Sequence, residues 1–132
     1  MNSISLLSTN DDGLTFCLLV DEQLLGEIVG APGNGIPHRY IADSLPSIPP
    51  YPNVTPTEPS LRLVAVCTCG EFGCGHTKCR IRYTEQQVSM SEFVTKDKPS
   101  AKNHSFRFDS NDFNRVISRM IEEANRFRGE TY

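Results

Sequence analysis

Residues 61–83 read LRLVAVCTCGEFGCGHTKCRIRY and contain the two clearest strand patterns of the chain. The run Leu61–Cys67 is almost entirely apolar, which is typical of a strand buried on both faces. After a cysteine- and glycine-rich turn, Lys78–Tyr83 alternates strictly between apolar and basic residues. Because successive side chains of a strand point to opposite faces, this alternation predicts a strand with Cys79 inward and the basic residues outward.

The regions on either side of this pair also contain short strand patterns. Towards the N-terminus, apolar runs at Ile4–Leu7, Leu14–Val20 and Leu24–Val29 predict two or three antiparallel strands, with a turn at Asp12-Gly13. Towards the C-terminus, the alternating pairs Val88 with Met90 and Phe106 with Phe108 predict further strands.

The C-terminal segment has the periodicity of an amphipathic helix. Asp109 or Ser110 can cap its start, and Gly129 follows its last turn, so the helix is predicted over residues 110–128. Its apolar face, which we expect to pack on the sheet, consists of Phe113, Val116, Ile117, Met120, Ile121, Ala124 and Phe127. The predicted fold class is therefore α+β, an antiparallel sheet packed against one C-terminal helix.

A proline-rich segment, residues 30–60, connects the two halves and contains eight of the nine prolines. Proline fixes φ and lacks a ladder donor, so this segment is expected to form neither a central strand nor a long helix. Its aromatic and apolar residues predict that it wraps across the body of the fold. The length of 132 residues fits one domain spanning residues 1–132.

The charge is divided unequally along the chain, although the total is only −3. Residues 1–60 contain seven acidic residues and one basic residue, whereas residues 61–132 contain nine and twelve. A total this close to neutral argues against a nucleic-acid partner. An acidic face would suit a basic protein partner, and the alternative is a set of scattered, solvated carboxylates. The candidate partner-binding residues are Asp11, Asp12, Asp21, Glu22 and Glu27.

Four cysteines and one histidine lie within residues 67–79, the densest chemical signal of the chain. Cys67, Cys69, Cys74 and Cys79 are candidate ligands of a structural zinc ion, although the spacing departs from the usual CxxC pairs. In a second interpretation the segment is a plain hairpin with buried, reduced cysteines. In a third, one thiol is a nucleophile with His76 as its base. Apart from zinc, no cofactor is expected.

The first ten residues have neither the basic region nor the apolar run of a signal peptide, and no stretch is apolar for the 18 or so residues that span a bilayer. A cytoplasmic protein without a membrane partner is therefore predicted. Thiols stay reduced in that compartment, so the odd number of five cysteines does not indicate a disulfide framework.

The motif Cys67-x-Cys69-Gly70-x-x-Gly73-Cys74, followed by Ser91-Glu92-Phe93 and by Phe106-x-Phe108, resembles a group of small bacterial proteins of undefined function. In size, acidity and character the chain also resembles the immunity proteins of contact-dependent growth inhibition systems. That resemblance implies a non-enzymatic protein that binds and neutralises a cognate toxin, often a basic nuclease. It carries over no functional residues.

Overall fold

The fold is described from a computed structural model, which covers residues 1–9, 14–31, 33, 35–38, 60–66, 75–95, 98–99 and 104–131. Within these residues the chain forms nine strands and two helices. In chain order they are β1 (Ile4–Thr9), β2 (Thr15–Val20), β3 (Gln23–Leu24), α1 (Leu25–Val29), β4 (Gly35–Pro37), β5 (Ser60–Val66), β6 (His76–Tyr83), β7 (Gln87–Thr95), β8 (Lys98–Pro99), β9 (Ser105–Asp109) and α2 (Ser110–Thr131).

The strands belong to one sheet in the order β1-β2-β4-β5-β6-β7-β8, with β3 added to β2 and β9 added to β7. Every pairing between these strands is antiparallel. The structure therefore confirms the predicted antiparallel sheet with one long C-terminal helix. Neither helix of the described residues combines the length and apolar character needed to cross a membrane.

The two ends of the sheet are joined by an isolated parallel bridge between Asn2 and Phe108. The Asn2 backbone N–H donates to the Arg107 carbonyl at 2.7 Å, and the Arg107 N–H donates to the Asn2 side-chain oxygen at 2.9 Å. Because Asn2 lies two residues before β1 while Phe108 lies in β9, this contact requires the sheet to curve. Its inner face encloses most of the apolar core.

Helix α2 supplies the other side of this core. Asp109 caps its start, because one carboxylate oxygen accepts from the backbone N–H groups of Asn111 at 2.8 Å and Asp112 at 3.3 Å. Phe113 is fully buried and packs edge-to-face with Tyr83, the ring centroids lying 5.7 Å apart. The predicted start is confirmed, and so are the inward positions of Phe113, Val116, Ile117, Met120 and Ala124. Ile121 was wrongly predicted to face inward, since it is 38% exposed, and the side chain of Phe127 lies outside the described residues. The helix runs past Gly129, however, to Thr131.

Strands β5 and β6 also follow their sequence patterns. They pair antiparallel, and β5 is buried on both faces from Leu63 to Val66. In β6, Thr77, Cys79, Ile81 and Tyr83 are buried, while the intervening basic residues are at least partly exposed. The predicted inward position of Cys79 is therefore confirmed.

The two or three strands predicted in the N-terminal region are β1, β2 and the short β3. A strand over the whole third apolar run, Leu24–Val29, was wrong. Only Gln23–Leu24 pairs with β2, and Leu25–Val29 is the short helix α1. Leu25, Ile28 and Val29 are spaced for one helical face, which turns Leu25 and Val29 into the core. Gly30 ends the helix in the left-handed conformation, with φ of 72°.

The expectation that residues 30–60 contain no central strand was also wrong, because β4 lies between β2 and β5. Pro37 is tolerated because it ends this strand opposite Thr15. The next backbone hydrogen bond towards β2 comes from the His38 N–H, which donates to the Leu14 carbonyl at 2.8 Å. Since hydrogen-bonded and non-bonded pairs alternate, Pro37 occupies a position from which no donor to β2 is needed. Residues 39–59, on which the wrapping prediction depends, lie outside the described residues.

Candidate functional site

A shallow surface depression of about 380 Å³ lies where the β2–β3 turn meets α1. Half-buried apolar side chains from β2, β3 and α1 line it together with two exposed carboxylates. The lining residues are Leu19, Glu22, Gln23, Leu24, Glu27 and Ile28. Glu22 and Glu27, two of the predicted partner-binding residues, are thus brought to one site.

The turn beside the depression consists of only Asp21 and Glu22, since Val20 pairs directly with Gln23. Both turn residues are left-handed, with φ of 50° for Asp21 and 67° for Glu22. Such two-residue turns favour Asn and Gly, and Asp is tolerated. Glu is a poor choice there, at a cost of about 1–2 kcal/mol. A residue held in such a conformation by its surroundings is a pointer to function.

The surroundings that hold the turn are the first residues of the chain. The Asp21 carboxylate accepts hydrogen bonds from the Ser3 backbone N–H and from the Asn2 side-chain amide, both at 2.8 Å. The Asp21 N–H in turn donates to the Ser3 carbonyl at 3.0 Å. The hydrogen bonds that the carboxylate accepts, first among them that from the Ser3 N–H and then that from Asn2, lower the pKa of Asp21 below its usual value. Asp21 therefore positions the turn, and its predicted role in partner binding stays a prediction.

Helix α1 places Glu27 on the outer side of the same corner. Leu25 and Val29 are buried beneath it, so the intervening Glu27 faces solvent. Among the described residues, no cation forms an ion pair with Glu22 or Glu27. Two exposed carboxylates at the rim of a partly apolar depression make it suited to a basic side chain.

Asp11 and Asp12 lie outside the described residues, so their place in the predicted acidic face stays a prediction. Of the three predicted carboxylates that the structure describes, Glu22 and Glu27 line the depression, whereas Asp21 lies in the adjoining turn.

Of the four predicted zinc ligands, only Cys79 lies within the described residues. It is fully buried and faces the core from β6, three residues beyond His76 and about 10 Å along the strand. Two sulfur ligands of one zinc ion lie about 4 Å apart, so a zinc site at Cys79 requires another cysteine sulfur at that distance. The described residues contain no cluster of metal-ligating side chains. Cys67, Cys69 and Cys74 lie outside them, so the zinc site stays a prediction.

The two described cysteines lack the properties of an activated nucleophile. Burial raises the pKa of the Cys79 thiol and that of the half-buried Cys17 thiol. A raised pKa keeps a thiol protonated at neutral pH, whereas nucleophilic attack requires the thiolate. Both cysteines are therefore placed as small apolar residues.

Comparison of the chain with family models, curated proteins and solved structures gave no match.

A strand over Leu24–Val29, as the apolar run predicts, does not produce the apolar part of the depression, which depends on α1. The signal that could have found it is the spacing of Leu25, Ile28 and Val29, followed by Gly30. This pattern predicts one helical turn with a glycine stop. It would have placed Ile28 and Glu27 beside each other at the helix surface.

Proposed function

We propose that the chain is a non-enzymatic, cytoplasmic protein-binding domain that acts as a bacterial immunity protein and neutralises a basic toxin. The observation that carries the proposal is the depression with Glu22 and Glu27 at its rim and Leu24 and Ile28 in its lining. A lysine or arginine side chain fits such a site, because its aliphatic part packs on apolar surface while its charged end meets carboxylates.

A basic active site is the expected target, since an enzyme that cleaves nucleic acid binds phosphates through lysine and arginine. An acidic, partly apolar site on an inhibitor competes for those same side chains. Charge complementarity of this kind accelerates association and selects the partner. The strained conformation of Glu22 supports the proposal, because it keeps one carboxylate at the rim at a cost in stability.

The experiment removes the two rim charges with Glu22→Gln and Glu27→Gln together. The matched control removes the exposed charges of Glu85 and Glu122, which lie away from the depression. A fluorescein-labelled oligolysine peptide serves as the first probe, measured by fluorescence anisotropy. We expect the rim variant to lose about tenfold in affinity and the control variant to bind as the unchanged protein does.

The second measurement is the survival of cells that express the protein encoded by the gene next to this chain's gene, which is the proposed toxin, together with each variant. We expect the rim variant to lose protection and the control variant to retain it. Equal protection by both variants, with both folded by circular dichroism, would contradict the proposal.

A further inference from the structure

A second charged surface lies on the outer face of β6, β7 and β9, on the opposite side of the sheet from the core. Inward residues of these strands, such as Ile81, Met90 and Phe108, are almost completely buried. The residues between them therefore point outward. We call this surface the basic sheet face, and its central residues are Lys78, Arg80, Arg82, Ser89, Ser91, Ser105 and Arg107. By the same alternation His76, Gln87 and Asp109 lie at its margins, where the Asp109 carboxylate caps α2.

Three residues of the basic sheet face form a row across the strands. Arg82 of β6 is paired with Ser89 of β7, which is paired on its other side with Arg107 of β9. Neighbouring strands are about 4.8 Å apart, so the two arginine Cα atoms are about 10 Å apart with a serine hydroxyl between them. Both arginines are exposed. Their long side chains can reach one carboxylate above Ser89, and guanidinium groups bind carboxylates with two parallel hydrogen bonds.

The arginines of this row differ in their partners from Arg80, Arg115 and Arg119, which form ion pairs. Arg80 pairs with Glu92 at 3.0 Å, and Arg115 pairs with Asp112 at 3.0 Å. In the part of the chain that the structure describes, neither Arg82 nor Arg107 forms an ion pair. Two exposed, aligned guanidinium groups are thus available to an external carboxylate.

A β-bulge directs the nearby acidic residue away from this row. The register of β6 and β7 shifts between Lys78 and Arg80, where Glu92 has a φ of 53°. The extra residue changes the direction of the strand, and the Glu92 carboxylate meets Arg80. The local acid therefore neutralises Arg80 and leaves the charges of Arg82 and Arg107 in place.

We propose that the basic sheet face is a second interaction surface, which binds an acidic segment of a partner protein across Arg82, Ser89 and Arg107. Charge complementarity selects the occupant, since the face presents cations and hydroxyl donors. Nucleic acid fits less well, because Arg82, Ser89 and Arg107 include no aromatic ring for base stacking and the whole chain is acidic. The surface is separate from the Glu22–Glu27 depression and takes ligands of the opposite charge.

The experiment compares two double variants that remove the same charge. Arg82→Gln with Arg107→Gln alters the row, while Arg115→Gln with Arg126→Gln removes two exposed arginines of α2. The probes are a fluorescein-labelled oligoglutamate peptide and an oligothymidylate with the same number of charges. We expect oligoglutamate to bind the unchanged protein and the α2 variant equally, and the row variant about tenfold more weakly.

Three results would overturn this proposal. One is equal weakening by both double variants, which would indicate only a general charge effect. Another is tighter binding of oligothymidylate than of oligoglutamate. The third is self-association in sedimentation equilibrium that the row variant abolishes, since the occupant would then be a second copy. The Glu22→Gln, Glu27→Gln protein should still bind oligoglutamate, so a failure of the proposed function remains distinguishable.

Discussion

The β5–β6 and β2–β3 hairpins are stabilised in different ways. The first joins strands of seven and eight residues, and their central side chains, such as Leu63 and Ile81, are completely buried. The second has only two paired positions, Leu19 with Leu24 and Val20 with Gln23. Its turn is held from outside, by the bonds between Asp21 and the first residues of the chain.

This difference separates the region that stabilises the fold from the region proposed to bind. Long ladders and buried side chains supply stability through area removed from water. A short hairpin with a left-handed glutamate removes little area from water and so contributes little stability. Its geometry instead places Glu22 and Glu27 at the same depression. Substitutions in the first region should therefore change stability, and substitutions in the second should change binding.

The largest effect is expected in the core between the sheet and α2. Phe113 is fully buried and contacts the rings of Tyr83 and Phe108, with centroids 5.7 Å and 6.0 Å away. Phe113→Ala removes this packing and leaves a cavity, so the free energy of unfolding should fall by about 3–5 kcal/mol. Urea denaturation followed by circular dichroism measures the loss.

The control for Phe113 is Ile121 on the same helix, whose side chain is 38% exposed. Ile121→Ala removes little buried area and introduces a good helix former, so its effect should stay below about 1 kcal/mol. Similar losses from the two substitutions would contradict the assignment of the inner face of α2.

The core was predictable because its sequence patterns agree with its local structure. The strict alternation of β6 and the helical spacing from Phe113 to Ala124 each match one burial pattern. Strand β4 could not be predicted in this way, since three residues ending in Pro37 show no period. Its place between β2 and β5 depends on long-range pairing, for example between Cys17 and Gly35. A Cβ at Gly35 would lie 2.5 Å from a Thr15 methyl group, a constraint that no local pattern records.

A smaller effect, of opposite sign, is expected at the β2–β3 turn. Glu22→Gly relieves the left-handed conformation at φ of 67° but increases the freedom of the unfolded chain. We expect a gain in stability of up to about 1 kcal/mol, together with weaker binding of the oligolysine probe. Glu85→Gly serves as the comparison, because Glu85 is exposed and has no positive φ. If Glu22→Gly lowers stability as much as Glu85→Gly does, strain at Glu22 is refuted.

The candidate site was only partly predictable because charge gives no position. The acidic first half drew attention to Glu22 and Glu27, which line the depression, and grouped them with Asp21, whose carboxylate accepts hydrogen bonds from Asn2 and Ser3. In the basic half, by contrast, two residues that share a site are not grouped by the sequence. Arg82 and Arg107 are 25 residues apart in sequence and become neighbours of Ser89 only through the strand register.

The smallest expected effect is a dependence of stability on pH at Asp21. Its pKa is lower in the folded protein than in the unfolded chain, so its ionised form favours folding. This contribution is complete above the unfolded pKa of about 3.9 and is lost as the pH falls through the folded value. Asp21→Asn, which cannot ionise, should therefore destabilise the protein near neutral pH, and its difference from the unchanged protein should shrink in acid. Urea midpoints at about pH 6 and about pH 3 test this, with Asp112→Asn as the control on α2. If the difference in stability between Asp21→Asn and the unchanged protein does not change with pH, the charge of the Asp21 carboxylate does not hold the turn. The β2–β3 hairpin would then depend only on the geometry of its hydrogen bonds to Asn2 and Ser3.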